Sequence, residues 1–459
     1  MHSPHFQHLF PMKQLLLRAA LPVMVTFSVS ACSKVLDTGI TSKKTAPAHT
    51  ELQADNVRTT TFKVLQFNTW MDGKLDLVAD EIAAREPDFV TFSETQDAAN
   101  FHINMENKLR VRNLTYFGGP GRNTSVISKY PIKRYEQVYG SSFTRLIAVI
   151  DGREVAVYSG HLDYTHYACY YPRGYDPVNW SELSAPVTDS IRIHNMNMAS
   201  TRDEEIAAFI TAARKDIDSG RIVILGGDFN EPSHLDWTRA TRNMFDHHGV
   251  IMPWTTTTSL ANAGFDDTYR LLYPDEVNYP GFTWVYQSDW APKADERDRI
   301  DYIFSSRDAG LSVTDGYIVG PKSSIVRHVL TPENTMDKFS EPVGTWPSDH
   351  KALMTVFSLK TTVTATISTN KKQYAKGETV SISFTNSSAN TNAWIGIYQS
   401  GKTPGAQYAD AWKYTNGAAA GTMTLTLPAD KPAGNYYVAC FKDNGYIETA
   451  ARVTFKYGQ

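Results

Sequence analysis

Trp346-Pro347-Ser348-Asp349-His350-Lys351-Ala352-Leu353-Met354-Thr355 sets an acid and an imidazole side by side, just ahead of an apolar, strand-like run. At the mouth of a strand such a pair can place a metal-holding carboxylate beside a proton-transferring ring. Taken alone, Ser-Asp-His is common and reads more readily as a solvated turn. Repetition upstream changes its weight. Phe67-Asn68-Thr69-Trp70 ends one apolar run in an amide, and Phe92-Ser93-Glu94 ends another in a carboxylate. Ser159-Gly160-His161-Leu162-Asp163-Tyr164 ends a third, and Leu225-Gly226-Gly227-Asp228-Phe229-Asn230-Glu231-Pro232 follows a strongly apolar fourth. Arg299-Ile300-Asp301-Tyr302-Ile303 puts an acid inside a strand, where an isolated charge is costly. Polar tips at successive strand ends of one sheet sandwich converge on one face, which predicts a single cluster of Asn, Glu, Asp and His.

The segments between these tips alternate in type. Residues 60–67 alternate as a strand, while Leu75, Val78, Ala79 and Ile82 repeat at helical spacing. Residues 88–93 read as a second strand. Thr201-Arg202-Asp203-Glu204 has the form of a capping box ahead of a helix carrying Ile206, Phe209, Ile210 and Ala213. Residues 221–225 read as a buried strand, and 299–304 and 352–357 as further strands. The mixture predicts an α/β or α+β sandwich of sheets flanked by helices, over residues 59–360. Beyond Lys360 the character changes. In 361–459, Thr, Ser, Asn and Gly punctuate short strands at 363–368, 379–384, 394–398, 422–427, 435–440 and 451–455. That pattern predicts a C-terminal all-β, immunoglobulin-like sandwich, without the Cys…Trp…Cys spacing of true immunoglobulin domains. There is no repeat at solenoid periods.

The chain has 459 residues, 42% hydrophobic and 20% charged, with a net charge of −3. This is globular composition with no broad basic footprint for duplex binding. Met12-Lys13-Gln14 leads a largely apolar run over 15–29, interrupted by Arg18 and Pro22, and then comes Val29-Ser30-Ala31-Cys32. A charged start, a short apolar region and small residues at a cleavage site describe a secretory signal. Small residues directly before a cysteine resemble the bacterial lipoprotein box. That resemblance implies a signal peptide over 1–32, lipidation of Cys32 and a membrane anchor. With Ser33 next, it implies the outer membrane or cell surface of the bacterial envelope; the initiator is Met1 or Met12. Residues 33–58, rich in Thr, Ser, Lys and Ala, read as a flexible tether. Only Cys169 and Cys440 remain beyond it, too few for a disulfide framework.

Hard carboxylate and amide oxygens select Mg²⁺, Mn²⁺ or Ca²⁺ over thiolate-preferring metals. A cluster of this composition suits metal-assisted attack of water on phosphorus. The ordered motifs Gln66-Phe67-Asn68, Ser93-Glu94, Gly160-His161-Leu162, Gly227-Asp228-Phe229-Asn230, Arg299-Ile300-Asp301-Tyr302 and Ser348-Asp349-His350 resemble those of the endonuclease/exonuclease/phosphatase superfamily. The resemblance implies a four-layer sandwich of two mixed β-sheets flanked by helices. It implies Glu94 as the principal metal ligand, with Asn68 and Asp349 completing the metal and phosphate shell, and Mg²⁺ as the cofactor. It further implies that Asp228 orients or deprotonates the attacking water, Asn230 binds phosphoryl oxygens, His161 donates to a phosphate oxygen, and Asp301 fixes the ring of His350.

Substrate identity is less legible. The aromatic-rich stretch 163–175 follows His161 and contains Tyr164 and Arg173. It reads either as a substrate-side loop, with Tyr164 facing the phosphate and Arg173 pairing an acidic group, or as a loop packed under its own aromatics. The Trp-Cys-Asp-Arg-Ile string of inositol-polyphosphate 5-phosphatases is replaced by Glu296-Arg297-Asp298-Arg299-Ile300. The reading that follows is an extracytoplasmic metal-dependent phosphodiesterase or phosphatase. Its alternatives are an endonuclease on nucleic acid, a sphingomyelinase-type phospholipase, and, outside enzymes, a surface binding lipoprotein. The partners expected are a phosphoester substrate and a membrane, with no obligate protein partner. His247 and His248 read as a surface pair without a role. Asn392 to Tyr398 and Trp412-Lys413-Tyr414 loosely resemble β-sandwich modules appended to some phosphoinositide phosphatases, and the candidate ligands of this domain are carbohydrate, membrane or the enzyme itself. Trp394 and Trp412 read more readily as core residues of a spacer.

Overall fold

Phe62 and Val64 alternate with Leu65 and Phe67 along the first strand, and this alternation builds two cores back to back. In a computed structural model that describes residues 56–459 apart from Asp72, Asp97 and Gln459, this strand is β1, Asn56–Asn68. The expected signal peptide, Cys32 and most of the expected tether (33–58) lie outside the described residues, and the first strand already begins at Asn56. The strands that carry the site are β2 (Phe89–Ser93), β3 (Arg153–His161), β4 (Ile222–Asp228), β5 (Asp301–Ser306) and β6 (Ala352–Val363). β1, β2 and β6 belong to a seven-stranded sheet, and β3, β4 and β5 to a six-stranded one.

The inner faces meet through Phe62, Val64 and Phe89 from the first sheet and Leu146, Val155, Val157, Ile222 and Ile224 from the second. Each such side chain removed from water contributes roughly 1.5–3 kcal/mol before entropy is counted. The outer face of the first sheet is covered by α1 (Leu75–Arg85), through Val78, Ala79 and Ile82, and by α2 (Phe101–Arg110), through Phe101, Met105 and Leu109. The outer face of the second is covered by α3 (Arg202–Asp218) and α4 (Thr255–Asn262), through Ile206, Phe209, Ala213 and Leu260. The result is the expected four-layer sandwich of mixed sheets. The capping box at the start of α3 does not form. Thr201 makes no side-chain cap, and its backbone N–H donates instead to Asp163 at 3.1 Å.

Strand direction explains why the polar tips meet. β1 runs parallel to β2, and β3 runs parallel to β4, so Asn68, Glu94, His161 and Asp228 all stand at carboxyl ends. β5 is antiparallel to β4, and β6 is antiparallel to β1. Asp301 and His350 therefore reach the same edge from the amino ends of their strands. Loops above this edge carry a satellite core of Tyr167, Tyr170, Trp237, Trp254, Trp284 and Ile300.

β6 ends at Val363, opposite Asn56, and leads into the C-terminal strands. A three-stranded sheet packs there on a five-stranded one through Val380, Ile382, Ile395, Ile397, Leu425 and Val438. The five-stranded sheet contains β7 (Trp394–Gln399), the edge strand β8 (Ala411–Tyr414) and β9 (Gly434–Phe441). Arg58 of β1 donates to Asp151 at 3.2 Å and to Asn386 at 3.1 Å, tying this region to the catalytic sheets. Cys169 and Cys440 are both buried free thiols. Among the described residues no helix is long and apolar enough to cross a membrane.

Candidate active site

Two glycines precede Asp228 because neither position has room for a side chain. A Cβ on Gly226 would sit 2.2 Å from Thr91 Oγ1, and one on Gly227 would sit 2.5 Å from the Gly160 carbonyl oxygen. The sheets thus approach each other just where the acid emerges, and Asp228 arrives buried. Its Oδ2 accepts from Asn68 Nδ2 at 2.9 Å, and its Oδ1 accepts from the Asn230 N–H at 2.9 Å. Glu94, Asn123 and Asn230 all take left-handed backbone conformations (φ 55°, 60° and 48°). Non-glycine residues seldom do so, and such residues cluster where a side chain must be aimed.

His350 is buried with its Nδ1 2.8 Å from Asp301 Oδ2 and its Nε2 3.8 Å from Asp228 Oδ2. Its own N–H donates to Ser348 Oγ, whose hydroxyl donates to the Asn68 carbonyl at 2.8 Å. Trp284 packs on the imidazole with ring centres 4.8 Å apart. Burial alone would strip the ring of its proton, but Asp301 and Asp228 outweigh burial and hold its pKa well above the usual histidine value. His161 lies across the cluster. Its Nδ1 is 2.7 Å from Asn123 Oδ1 and its Nε2 is 3.9 Å from both Glu94 Oε1 and Asp228 Oδ2. Burial dominates there and lowers its pKa. Burial, with Asp301 close by, pushes Asp228 up to about 8.

Glu94, Asp228 and His350 each offer a ligand atom within 4.8 Å of the others. The observation that best fits a cation is Asp349. Its Oδ2 accepts from Ser288 Oγ at 3.0 Å, but its Oδ1 is buried with no partner. Burial, with the charge of Glu94 adding to it, pushes its pKa up to about 6. A hard divalent cation between Glu94 and Asp349 would satisfy the orphan oxygen and relieve both charges. A protonated His350 cannot ligate, which leaves the carboxylates as the donors.

Three expectations need correction. Asn68 does not present its oxygen to the cluster. Its Oδ1 accepts from the Trp70 N–H at 2.9 Å, which turns the NH₂ toward Glu94 (3.0 Å) and Asp228. In this arrangement the amide steadies two carboxylates. Arg173 does not face substrate. Its guanidinium is buried, paired twice with Asp298 (3.0 Å for Nη2 to Oδ1), and lies over the Trp237 ring. His247 is not a surface residue: it is 2% exposed and stacks on Trp237, while His248 is exposed. The stretch 163–175 largely packs under its own aromatics, with Tyr167 donating to Asp298 at 2.8 Å and Tyr170 to Glu296 at 2.7 Å.

A cavity of about 270 Å³ opens over the cluster, lined by Glu94, Asn230, Asp349 and His350. Tyr164, 61% exposed, stands on its wall, as do Trp70, Trp180, Trp284 and Trp290. Asn230 gives one amide hydrogen to the Leu162 carbonyl at 3.0 Å and keeps the other for the cavity. Asn123 and the tryptophans were not expected from the sequence. Asn123 lacked the signal of the other tips, because it precedes its strand and that strand, Thr124–Ser128, is buried but rich in hydroxyl residues.

A family profile described as Endonuclease/Exonuclease/phosphatase family matches residues 65–350, a span that contains all six motifs. The chain belongs to the endonuclease/exonuclease/phosphatase family. Members of this family are hydrolases of phosphoester bonds. An uncharacterized protein of Caenorhabditis elegans, F14F9.5, is 26% identical over 268 residues, covering 53% of this chain and 77% of that protein. Among solved structures, an AP endonuclease from Archaeoglobus fulgidus is 17% identical, covering 64% of this chain and 99% of that one, with a TM-score of 0.39. The beta toxin of Staphylococcus aureus is 17% identical over 64% of this chain and 99% of that one, with a TM-score of 0.35. The human Nocturnin catalytic domain is 14% identical over 66% and 97%, with a TM-score of 0.36.

Proposed function

We propose that the chain is an extracytoplasmic phosphodiesterase, dependent on Mg²⁺ and held to the bacterial envelope by lipid on Cys32. The observation that carries the catalytic part is the meeting of Glu94, Asp228, Asp349 and an Asp301-supported His350 under one cavity. No Lys or Arg lines that cavity, while two carboxylates do. With Mg²⁺ balancing Glu94 and Asp349, His350 is the one cation left for the ester, which leaves a dianionic monoester or a polyphosphate with charge in excess. A diester carries one charge, and the tryptophan walls accept an apolar or flat substituent on it.

In this reading Glu94 and Asp349 hold the Mg²⁺, which when bound neutralises charge on the phosphoryl oxygens. Asp228, ionised, takes a proton from the attacking water, whose oxygen forms the new bond to phosphorus as the ester P–O bond breaks. Asp301 keeps His350 aimed with Nε2 toward the phosphate, and His350 and the Asn230 amide donate to oxygens that gain charge. The anchor rests on Val29-Ser30-Ala31-Cys32 and is a reading of the sequence alone.

The test is hydrolysis of bis(p-nitrophenyl) phosphate against p-nitrophenyl phosphate by residues 33–459 with Mg²⁺, alongside His350→Ala. Diester cleavage lost in the variant supports the proposal, and release from the monoester alone overturns it in favour of a phosphatase. For the anchor, Cys32→Ser should move the protein from the membrane to the soluble fraction. A nuclease is the second reading, favoured by Trp70, Trp180, Trp284 and Trp290, whose faces suit a nucleobase.

A further inference from the structure

The outer face of the C-terminal five-stranded sheet departs from sandwich chemistry. In β7, Ile395 and Ile397 turn into the core between the sheets, so Trp394, Gly396 and Tyr398 share the opposite face. That face of a two-sheet sandwich is ordinarily polar. Here register lays out rows of aromatic and small residues instead. Trp394 is paired with Tyr414 on one side and Phe441 on the other, and Tyr398 is paired with Tyr437. Between these rows lies Gly396, flanked by Trp412 and Ala439. The glycine is needed there, because a Cβ would meet the Trp394 ring at 2.8 Å and the Tyr398 ring at 3.1 Å.

Over this trough the structure holds a cavity of about 270 Å³, bounded by Trp394, Tyr398, Trp412, Tyr414, Asn444 and Tyr446. Trp412 is 54% exposed, and its ring stands at 76° to that of Trp394, with Tyr446 at 83° on the same indole. Tyr414 donates to Asn444 Oδ1 at 3.0 Å, which leaves the amide hydrogens of Asn444 for another acceptor. The Tyr398 hydroxyl, on the cavity wall, is buried without a hydrogen-bond partner. A polar group in that state is costly unless a ligand or water completes it.

We propose that this cavity binds a neutral carbohydrate. The ring faces suit the C–H face of a sugar, and the phenols and the Asn444 amide suit its hydroxyl rim. No Asp, Glu, Lys or Arg lines the cavity, so a charged ligand would find no counter-charge. A phospholipid head group in particular would leave its phosphate without a cationic donor. The cavity is concave and rimmed with hydroxyls, and it stands at the lower end of small-molecule site volumes.

The experiment is native electrophoresis of residues 33–459 through gels containing dextran, soluble starch, laminarin, mannan or hydroxyethyl cellulose, together with flotation on phosphatidylcholine vesicles. Trp412→Ala is the variant, since an exposed edge-strand side chain can be removed without opening the core. Retardation by at least one polysaccharide, weakened about tenfold or more in Trp412→Ala with diester hydrolysis unchanged, is the expected result. Retardation by none of the five, or equal retardation of the variant, overturns the proposal. Flotation on vesicles that is lost in Trp412→Ala, without retardation in any gel, overturns it in favour of a membrane surface.

Discussion

Asp301 Oδ2 stands 2.8 Å from His350 Nδ1: Asp301 opens β5 in one sheet, and His350 lies two residues before β6 of the other. Neither is exposed, and the pair joins the two sheets at the site edge. Asp301→Asn keeps the shape and removes the charge. The expected outcome is a fall in kcat/KM of about a hundredfold or more toward a diester, with little change in KM. The profile of rate against pH should shift as His350 loses the carboxylate that keeps it protonated. A variant of wild-type rate would remove His350 from the mechanism proposed here.

The orphan oxygen of Asp349 makes metal binding measurable without turnover. Adding Mg²⁺ to protein stripped by a chelator should raise the Tm, because an ion that binds only the native state stabilises it by mass action. Glu94→Gln or Asp349→Asn should abolish that rise. Asn68→Ala, which removes only the amide steadying Glu94 and Asp228, should weaken it about 10- to 100-fold in Mg²⁺ concentration. A Tm indifferent to Mg²⁺ in the wild-type protein would count against the metal.

Arg173 and Asp298 form a buried pair that also receives Tyr167 and Trp237. Arg173→Met should destabilise the protein by about 3–5 kcal/mol, because it leaves Asp298 charged and unpaired. Denaturant unfolding measures this. If Arg173 served the substrate instead, the variant would keep its stability and lose only affinity.

His247 is stacked on Trp237, and burial, with Arg173 nearby, lowers its pKa to about 2. The folded value lies below the unfolded value near 6.5. Below about pH 6.5 the unfolded chain therefore binds a proton that the native chain refuses, and stability falls as pH falls. The slope from this one group is up to about 1.4 kcal/mol per pH unit between roughly pH 6 and the folded pKa. His247→Phe keeps the stacking ring, so unfolding measured from pH 7 to 4 should be flatter than wild type by that slope. Identical slopes would mean that His247 titrates in the native state.

Much of the site was legible because each polar tip interrupts an apolar run. Glu94, His161, Asp228 and His350 announce themselves that way, and the sheets gather them. What could not be read depends on partners distant in sequence. The orientation of Asn68 is set by the Trp70 N–H, and the fate of Arg173 by Asp298, 125 residues on. His247 gave no sign of burial, since its neighbour His248 is exposed and only Trp237 distinguishes them. The β7 pattern pointed to a strand, but not to the face that Trp394 and Trp412 would share, which depends on the register of β8.

β1 and β6 pair from Gln66 and Leu353, beside the catalytic cluster, to Asn56 and Val363, where the C-terminal strands begin. At about 3.4 Å per residue this ladder separates the two ends by roughly 35 Å. A ligand shorter than that cannot reach from the start of the accessory module to His350. Only a polymer or an extended surface can engage both, and for such a target the second encounter is no longer a search through bulk solution. Its rate is governed by an effective concentration that the stiff ladder fixes, so cleavage on a tethered substrate should depend on how densely scissile bonds are spaced and little on how many are present in the medium.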